Sequence, residues 1–188
     1  MSKLVEHFER YLGPIQKGWS KEADGQLLPF QVILMGGGPI AGAQVLLTLG
    51  LSDRALRVGN TSKRLRQELM FMFRESDGPR NLPGVLQHVA LEALAKDQAY
   101  GVGDVLGPRR ELRMGSTLEA LFVAPPVYLP DSFHVFRAAG SDPVVVGWLV
   151  PIAASEAAFV KSRGSSGFED ELERFDPDLL DFNRKAIV

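Results

Sequence analysis

The chain has 188 residues, 45% of them hydrophobic and 23% charged, with a formal net charge of −2. That is the size and balance of one ordinary globular domain, and it excludes a disordered chain or one drawn generally to nucleic acid or an anionic membrane. The absence of cysteine excludes disulfides, thiol nucleophiles and thiolate metal sites.

Leu4, Val5, Phe8 and Leu12 recur at helical spacing with Glu6, Glu9 and Arg10 opposite, which predicts a short amphipathic helix over 3–12. Acidic residues within that segment rule out a secretory signal, and no apolar run in the chain reaches the ~18 residues needed to cross a bilayer. A soluble, cytoplasmic protein is the expectation. Gly13-Pro14 ends the helix, and 14–26 reads as a loop anchored by Trp19. Leu27 to Met35 is apolar and partly β-branched and predicts a buried strand, broken by Gly36-Gly37-Gly38-Pro39. A second apolar run covers 44–51. Residues 52–65, rich in Arg, Ser, Asn and Lys, read as exposed. Over 67–73, Leu69, Phe71 and Phe73 alternate with Glu68, Met70 and Met72, which predicts a strand with both faces at least half buried.

After a loop at 76–81, Pro83 suits the first turn of a helix. Leu82, Val85, Leu86, Val89, Ala90, Ala93 and Leu94 carry an apolar stripe to about residue 96. The stretch from Tyr100 to Gly107 is turn-rich, with a short strand at 104–106. Short strands are predicted at 120–123 and 128–129 around Pro125-Pro126, then a strand pair at 133–138 and 144–150 joined by a hairpin-like loop. Ser155 is placed to cap a helix to Arg163 with Gly164 as its stop. Ser166 and Glu169 have capping-box spacing for a second helix through Phe175, burying Phe168, Leu172 and Phe175. No repeat or linker divides the chain, so 1–188 reads as a single domain with 1–26 as an N-terminal helix and loop.

Two readings compete at the glycines. Gly36-x-Gly38-x-x-Ala41 after an apolar segment is a dinucleotide fingerprint in outline, since glycines admit a pyrophosphate and a following helix would supply amides. That alternative, a nucleotide-binding enzyme, needs a helix over 40–49 and a second strand at 55–58. It lacks the acidic residue some 20 positions on, and the rest of the chain does not alternate strand and helix. The favoured reading is a Gly-Pro turn in a hairpin, with 44–51 as the return strand.

Other chemistry is sparse. His7, His88 and His134 are scattered without metal-ligand spacing, and no nucleophile elbow surrounds Ser52-Asp53, which reads as a turn. Glu68 on an apolar strand needs a partner if buried, and an arginine is the expected one. Gly103-Asp104 reads as a turn. The cluster Arg54, Arg57, Lys63, Arg64 and Arg66 has no interleaved aromatics and reads as a solvated loop, with an acidic protein partner as the alternative.

Several segments, in order, resemble the suppressor-of-fused family: Leu49-Gly50-Leu51-Ser52-Asp53, Gln67-Glu68-Leu69-Met70-Phe71, the helix 83–96, and Tyr100-Gly101-Val102-Gly103-Asp104-Val105-Leu106. They continue with Val146-Gly147-Trp148-Leu149-Val150-Pro151-Ile152, then Glu156, Phe159 and Gly164, and end at Leu180-Asp181-Phe182-Asn183-Arg184. The resemblance covers roughly 27–188. It implies an α+β fold, a mixed and largely antiparallel sheet with flanking helices. It also implies a non-enzymatic protein-binding module without cofactor or metal, similar to bacterial immunity or antitoxin-like proteins that neutralise a toxin by occlusion. Asp53, Glu68 and Asp104 are the family-motif positions near which a partner-binding site is expected, with holding turns and strands in place as their role.

Overall fold

The computed structural model describes residues 2–108, 112 and 115–188. The chain runs α1 (Lys3–Leu12), β1 (Lys17–Lys21), β2 (Leu27–Gly36), β3 (Ala43–Leu49), β4 (Leu56–Val58), β5 (Arg64–Arg74), α2 (Leu82–Lys96) and β6 (Gln98–Ala99). It continues with β7 (Val105–Leu106), β8 (Leu118–Ala124), α3 (Asp131–His134), β9 (Val135–Phe136), β10 (Val144–Ala153) and α4 (Ala154–Phe175). Residues Leu51–Asp53 form a single 3₁₀ turn.

Strand order is β1-β2-β3-β5-β10-β8-β7. Each neighbouring pair is antiparallel except β5–β10, which is parallel. Off this path β4 pairs antiparallel with β5 and parallel with β6, and β9 pairs with β10. The α+β class expected from the resemblance is what the structure contains.

Central strand β5 is buried from Gln67 to Phe73 because both faces of the sheet are covered. Alternation sends Met70 and Met72 to one face and Leu69, Phe71 and Phe73 to the other. The first face packs with Phe8 and Leu12 of α1, Phe133 of α3 and Phe168 of α4. The second packs with Leu82, Leu86, Val89, Ala90 and Ala93 of α2 and with Phe182 near the C-terminus. This two-sided burial explains why the strand shows no polar face.

The run after the triple glycine is extended. β2 and β3 form an antiparallel hairpin pairing Gly36 with Gln44 through Gln31 with Leu49. The helix that a nucleotide loop requires is therefore absent from 40–49, and β4 is antiparallel to β5 rather than the second strand of a βαβ unit. That alternative is overturned. The glycines have a packing cause instead. A Cβ on Gly38, at φ +57°, would lie 2.0 Å from the Tyr11 carbonyl oxygen, and one on Gly36 would lie 3.0 Å from that of Leu12. A Cβ on Gly37 would meet Ala43 at 2.6 Å. Backbone of the hairpin turn thus lies directly against the end of α1.

Other departures have local causes. β1 falls in the expected loop 14–26, because Lys17, Ser20 and Lys21 give an edge strand no apolar period. Trp19 is only half buried there. Strands β4 and β6 lie in or beside polar stretches for the same reason. Tyr128-Leu129 is not a strand: Val127 N–H donates to Pro125 O and Leu129 N–H to Pro126 O, both at 2.8 Å, winding the segment into turns. The expected strand at 133–138 is a helical turn through His134 and then only Val135–Phe136. Helix α4 begins at Ala154 rather than after Ser155, whose Oγ donates to Val188 O at 2.7 Å. Gly164 marks a kink (φ 84°, ψ 166°) between two helical stretches, as its predicted stop suggested, but Phe175 is 50% exposed rather than buried. No helix is long and apolar enough to cross a membrane among the described residues.

Gly38→Ala is expected to cost more than about 2 kcal/mol, since the new methyl meets fixed backbone as well as φ strain. Gly42, at φ +70°, has nothing within 4 Å of the place a Cβ would occupy. Gly42→Ala is therefore expected to cost only about 1 kcal/mol. Urea unfolding of the two variants checks this, and equal losses would contradict the packing explanation.

Candidate functional site

Glu68 lies on the α1–α4 face of β5 and is 0% exposed. A carboxylate there survives only if its oxygens receive donors. The donors come from the end of β3 and the turn that follows it. Thr48 Oγ1 donates to Glu68 Oε2. Oε1 accepts from Gly50 N at 3.0 Å, Ser52 N at 3.1 Å and Ser52 Oγ at 2.7 Å. The partner is thus a turn, not the arginine expected from the sequence. Burial still outweighs these four bonds, and the Glu68 carboxyl is pushed up from 4.5 to about 7.

Arg66, two residues earlier and so on the same side of β5, grips the same turn by its carbonyls. Its Nη1 donates to Ser52 O at 2.7 Å and Asp53 O at 2.8 Å. Amides of the turn therefore point at Glu68 and carbonyls at Arg66. Gly50, at φ +102°, supplies the left-handed backbone that starts the turn.

Between these two, Gln67 points to the opposite face and holds the other motif loop. Its Nε2 donates to Tyr100 O at 2.8 Å, and its Oε1 accepts from Tyr100 N at 3.0 Å. The loop that follows is closed by Asp104, whose Oδ2 accepts from Gly101 N at 2.7 Å. It is tied to β8 by Gly103 N donating to Val123 O and Val123 N donating to Asp104 O, at 2.8 and 2.9 Å. Three consecutive residues of β5 thus fasten two loops from opposite faces.

The structure brings Glu68 into contact with the turn carrying Asp53 and leaves Asp104 in the separate loop held through Gln67. Asp53 is exposed, and its carboxylate has no hydrogen bond or ion pair among the described residues. Two clefts meet at it. One, of about 740 Å³, is lined by Ser52, Asp53, Arg66, Phe136, Asp142 and Val144 among others. The other, of about 670 Å³, includes Leu4, Phe30, Gln31, Leu49, Gly50 and Asp53. Asp104 is exposed as well, but its carboxylate is engaged within its own loop.

Sequence reasoning missed Thr48 and Gln67. Thr48 interrupts the apolar run Val45–Leu49, which is a signal that could have exposed it, whereas Gln67 stands between Arg66 and Glu68 and carries no such mark. It also missed a second buried acid. Glu156 and Arg184 form a two-pronged pair at 2.7 and 2.9 Å, with Glu156 0% and Arg184 7% exposed. Ala153 N and Ile187 N donate to the same carboxylate, and Arg184 Nη2 donates to Pro151 O. This pair docks the C-terminal segment onto the start of α4.

The family model described as suppressor of fused protein (SUFU) matches residues 27–185. The chain belongs to the suppressor of fused family. A suppressor of fused homolog from Neisseria gonorrhoeae superposes with a TM-score of 0.76 at 18% identity, over 98% of this chain and 94% of that one. The crystal structure of the Sufu–Fu complex gives 0.70 at 13% identity, over 98% and 91%. Drosophila Suppressor of Fused gives 0.69 at 14% identity; the chain covers 50% of that protein's length. At these identities the structural likeness speaks for the fold. No curated protein matches the sequence. Both loops fastened by β5 belong to the stretches in which the family resemblance was read.

A carboxyl with a folded pKa above its unfolded one binds more protons folded than unfolded between the two values. Its stabilising contribution is fully present below pH 4.5 and is lost as pH rises through 7. The stability difference between the wild type and Glu68→Gln, which cannot ionise, is therefore expected to shift against the wild type by about 3 kcal/mol from pH 4.5 to about pH 8. Urea unfolding across that range measures it. A pH-independent difference would contradict the assignment.

Proposed function

We propose that this suppressor of fused domain is a non-enzymatic protein-binding module, and that its contact surface is centred on the 50–53 turn. The single observation that carries this reading is Asp53: an exposed carboxylate, unpaired among the described residues, on a turn whose backbone is held by buried Glu68 and by Arg66. A preorganised turn loses little entropy when a partner covers it. Clefts on either side of Asp53 offer room for partner side chains. The Sufu–Fu structure is a complex of a protein with this fold, which supports the same class of function here.

Occlusion fits better than strand addition. Edge strand β1 carries Lys17 and Lys21, a pattern that discourages pairing with another chain, and β7 has only two residues. Within this reading Glu68 and Asp104 act by holding loops in place, and Asp53 makes the contact. The finer form of the proposal is a cytoplasmic immunity or antitoxin-like protein that covers the working surface of a toxin. The resemblance to small bacterial family members supports it.

The test is a quantitative pull-down from the source cells, paired with direct binding to the product of the adjacent gene. Wild type is expected to retain a protein partner, and Asp53→Lys to weaken binding by roughly tenfold or more with an unchanged Tm, as for a central charged contact. Recovery of no partner, or full binding by Asp53→Lys, would refute the proposal.

A further inference from the structure

Three of the exposed large apolar side chains gather away from the 50–53 turn: Val102 at 63% exposure, Val127 at 60% and Tyr128 at 37%. They border a cavity of about 560 Å³ between β8, β10, the second half of α4 and the turn that follows it. Phe122, Trp148, Val150 and Leu172 contribute apolar wall. The volume lies in the range of roughly 300–1,000 Å³ usual for binding pockets. Exposed apolar groups gathered at one cavity, rather than scattered, mark an interaction site.

The charge of the lining describes the occupant. The charged residues lining the cavity are Glu169, Glu173 and Asp176, and no cation is among them. The nearby Arg174 is already engaged, 3.5 Å from Glu171 and 5.0 Å above the ring of Phe175.

We propose that this cavity docks an extended segment of a partner protein that inserts one aliphatic or aromatic side chain beside a lysine or arginine. The apolar wall takes the anchor, and the three carboxylates take the cation. This inference rests on the reading of the chain as a protein-binding module. It uses no residue of the 50–53 turn.

The test is selection from a displayed library of random peptides against the full-length chain, followed by fluorescence titration of the enriched sequences. Of the two tryptophans, Trp19 and Trp148, the first is replaced (Trp19→Phe), so that Trp148 alone reports. Enriched peptides are expected to carry an apolar residue next to Lys or Arg and to shift Trp148 emission. Val127→Glu and Glu173→Lys change exposed residues and should keep the wild-type Tm. Each is expected to weaken binding by roughly tenfold, and Asp53→Lys is expected to leave it unchanged. No enrichment, enrichment of acidic or anchor-free peptides, binding that survives Val127→Glu, or self-association through this face would overturn the proposal. If the cavity fails while an Asp53-dependent partner is still retained, only this inference falls.

Discussion

A buried carboxylate holds the arrangement together. Glu68 sits in the middle of the sheet, followed on its own face by Met70 and Met72, and it takes four hydrogen bonds from one short stretch of chain. An acid so placed would be costly without donors, and the turn after β3 would expose loose amides without an acceptor. Each satisfies the other. The Leu-Ser-Asp turn is therefore not a free surface loop but an extension of β5, and Asp53 is presented from a rigid base.

Strand β5 can do this because of where it lies. It pairs antiparallel with β3 and parallel with β10, so it joins the two halves of the sheet. Alternation along Arg66-Gln67-Glu68 sends polar groups to both faces in succession, and each reaches a loop instead of water. The same economy recurs at the C-terminus, where Arg184 enters a site made by Glu156 and the Pro151 carbonyl and closes the cover over the second face beside Phe182. Buried charge here fixes which segments meet; the apolar layers on either side supply most of the stabilisation.

What could be read from the sequence follows the strength of the local pattern. Helix α2 was legible because Leu82 to Leu94 repeat with one period and Pro83 marks the start. The hairpin of β2 and β3 was legible once the glycines were weighed against the missing helix signals, although their contact with α1 depends on Tyr11 and Leu12, some 25 residues away. β1 and β6 were not legible, because short strands rich in Lys and Gln show no apolar alternation, and β4 was read at 55–58 only within the nucleotide alternative. Phe133 read as strand because an isolated aromatic before Val135 has no periodicity of its own, while Pro130 and Asp131 start a helical turn. At the site, the motif order placed Asp53, Glu68 and Asp104 but not their relation. An arginine was the expected partner of Glu68, and only the geometry of the turn shows that Glu68 and Arg66 hold its opposite sides. Arg184 and Glu156 lie 28 residues apart, beyond any local pattern.

The account depends on the amides of the 50–53 turn being sealed by Glu68. Native-state amide exchange by NMR tests this directly, since Gly50 and Ser52 lie outside the strand ladder and would otherwise exchange like an exposed loop. Their amides are predicted to exchange as slowly as Leu47 in the core of β3, and to lose that protection selectively in Glu68→Ala while Leu47 keeps its own. Rapid exchange of Gly50 and Ser52 in the wild-type protein would contradict the claim that the buried acid holds this turn.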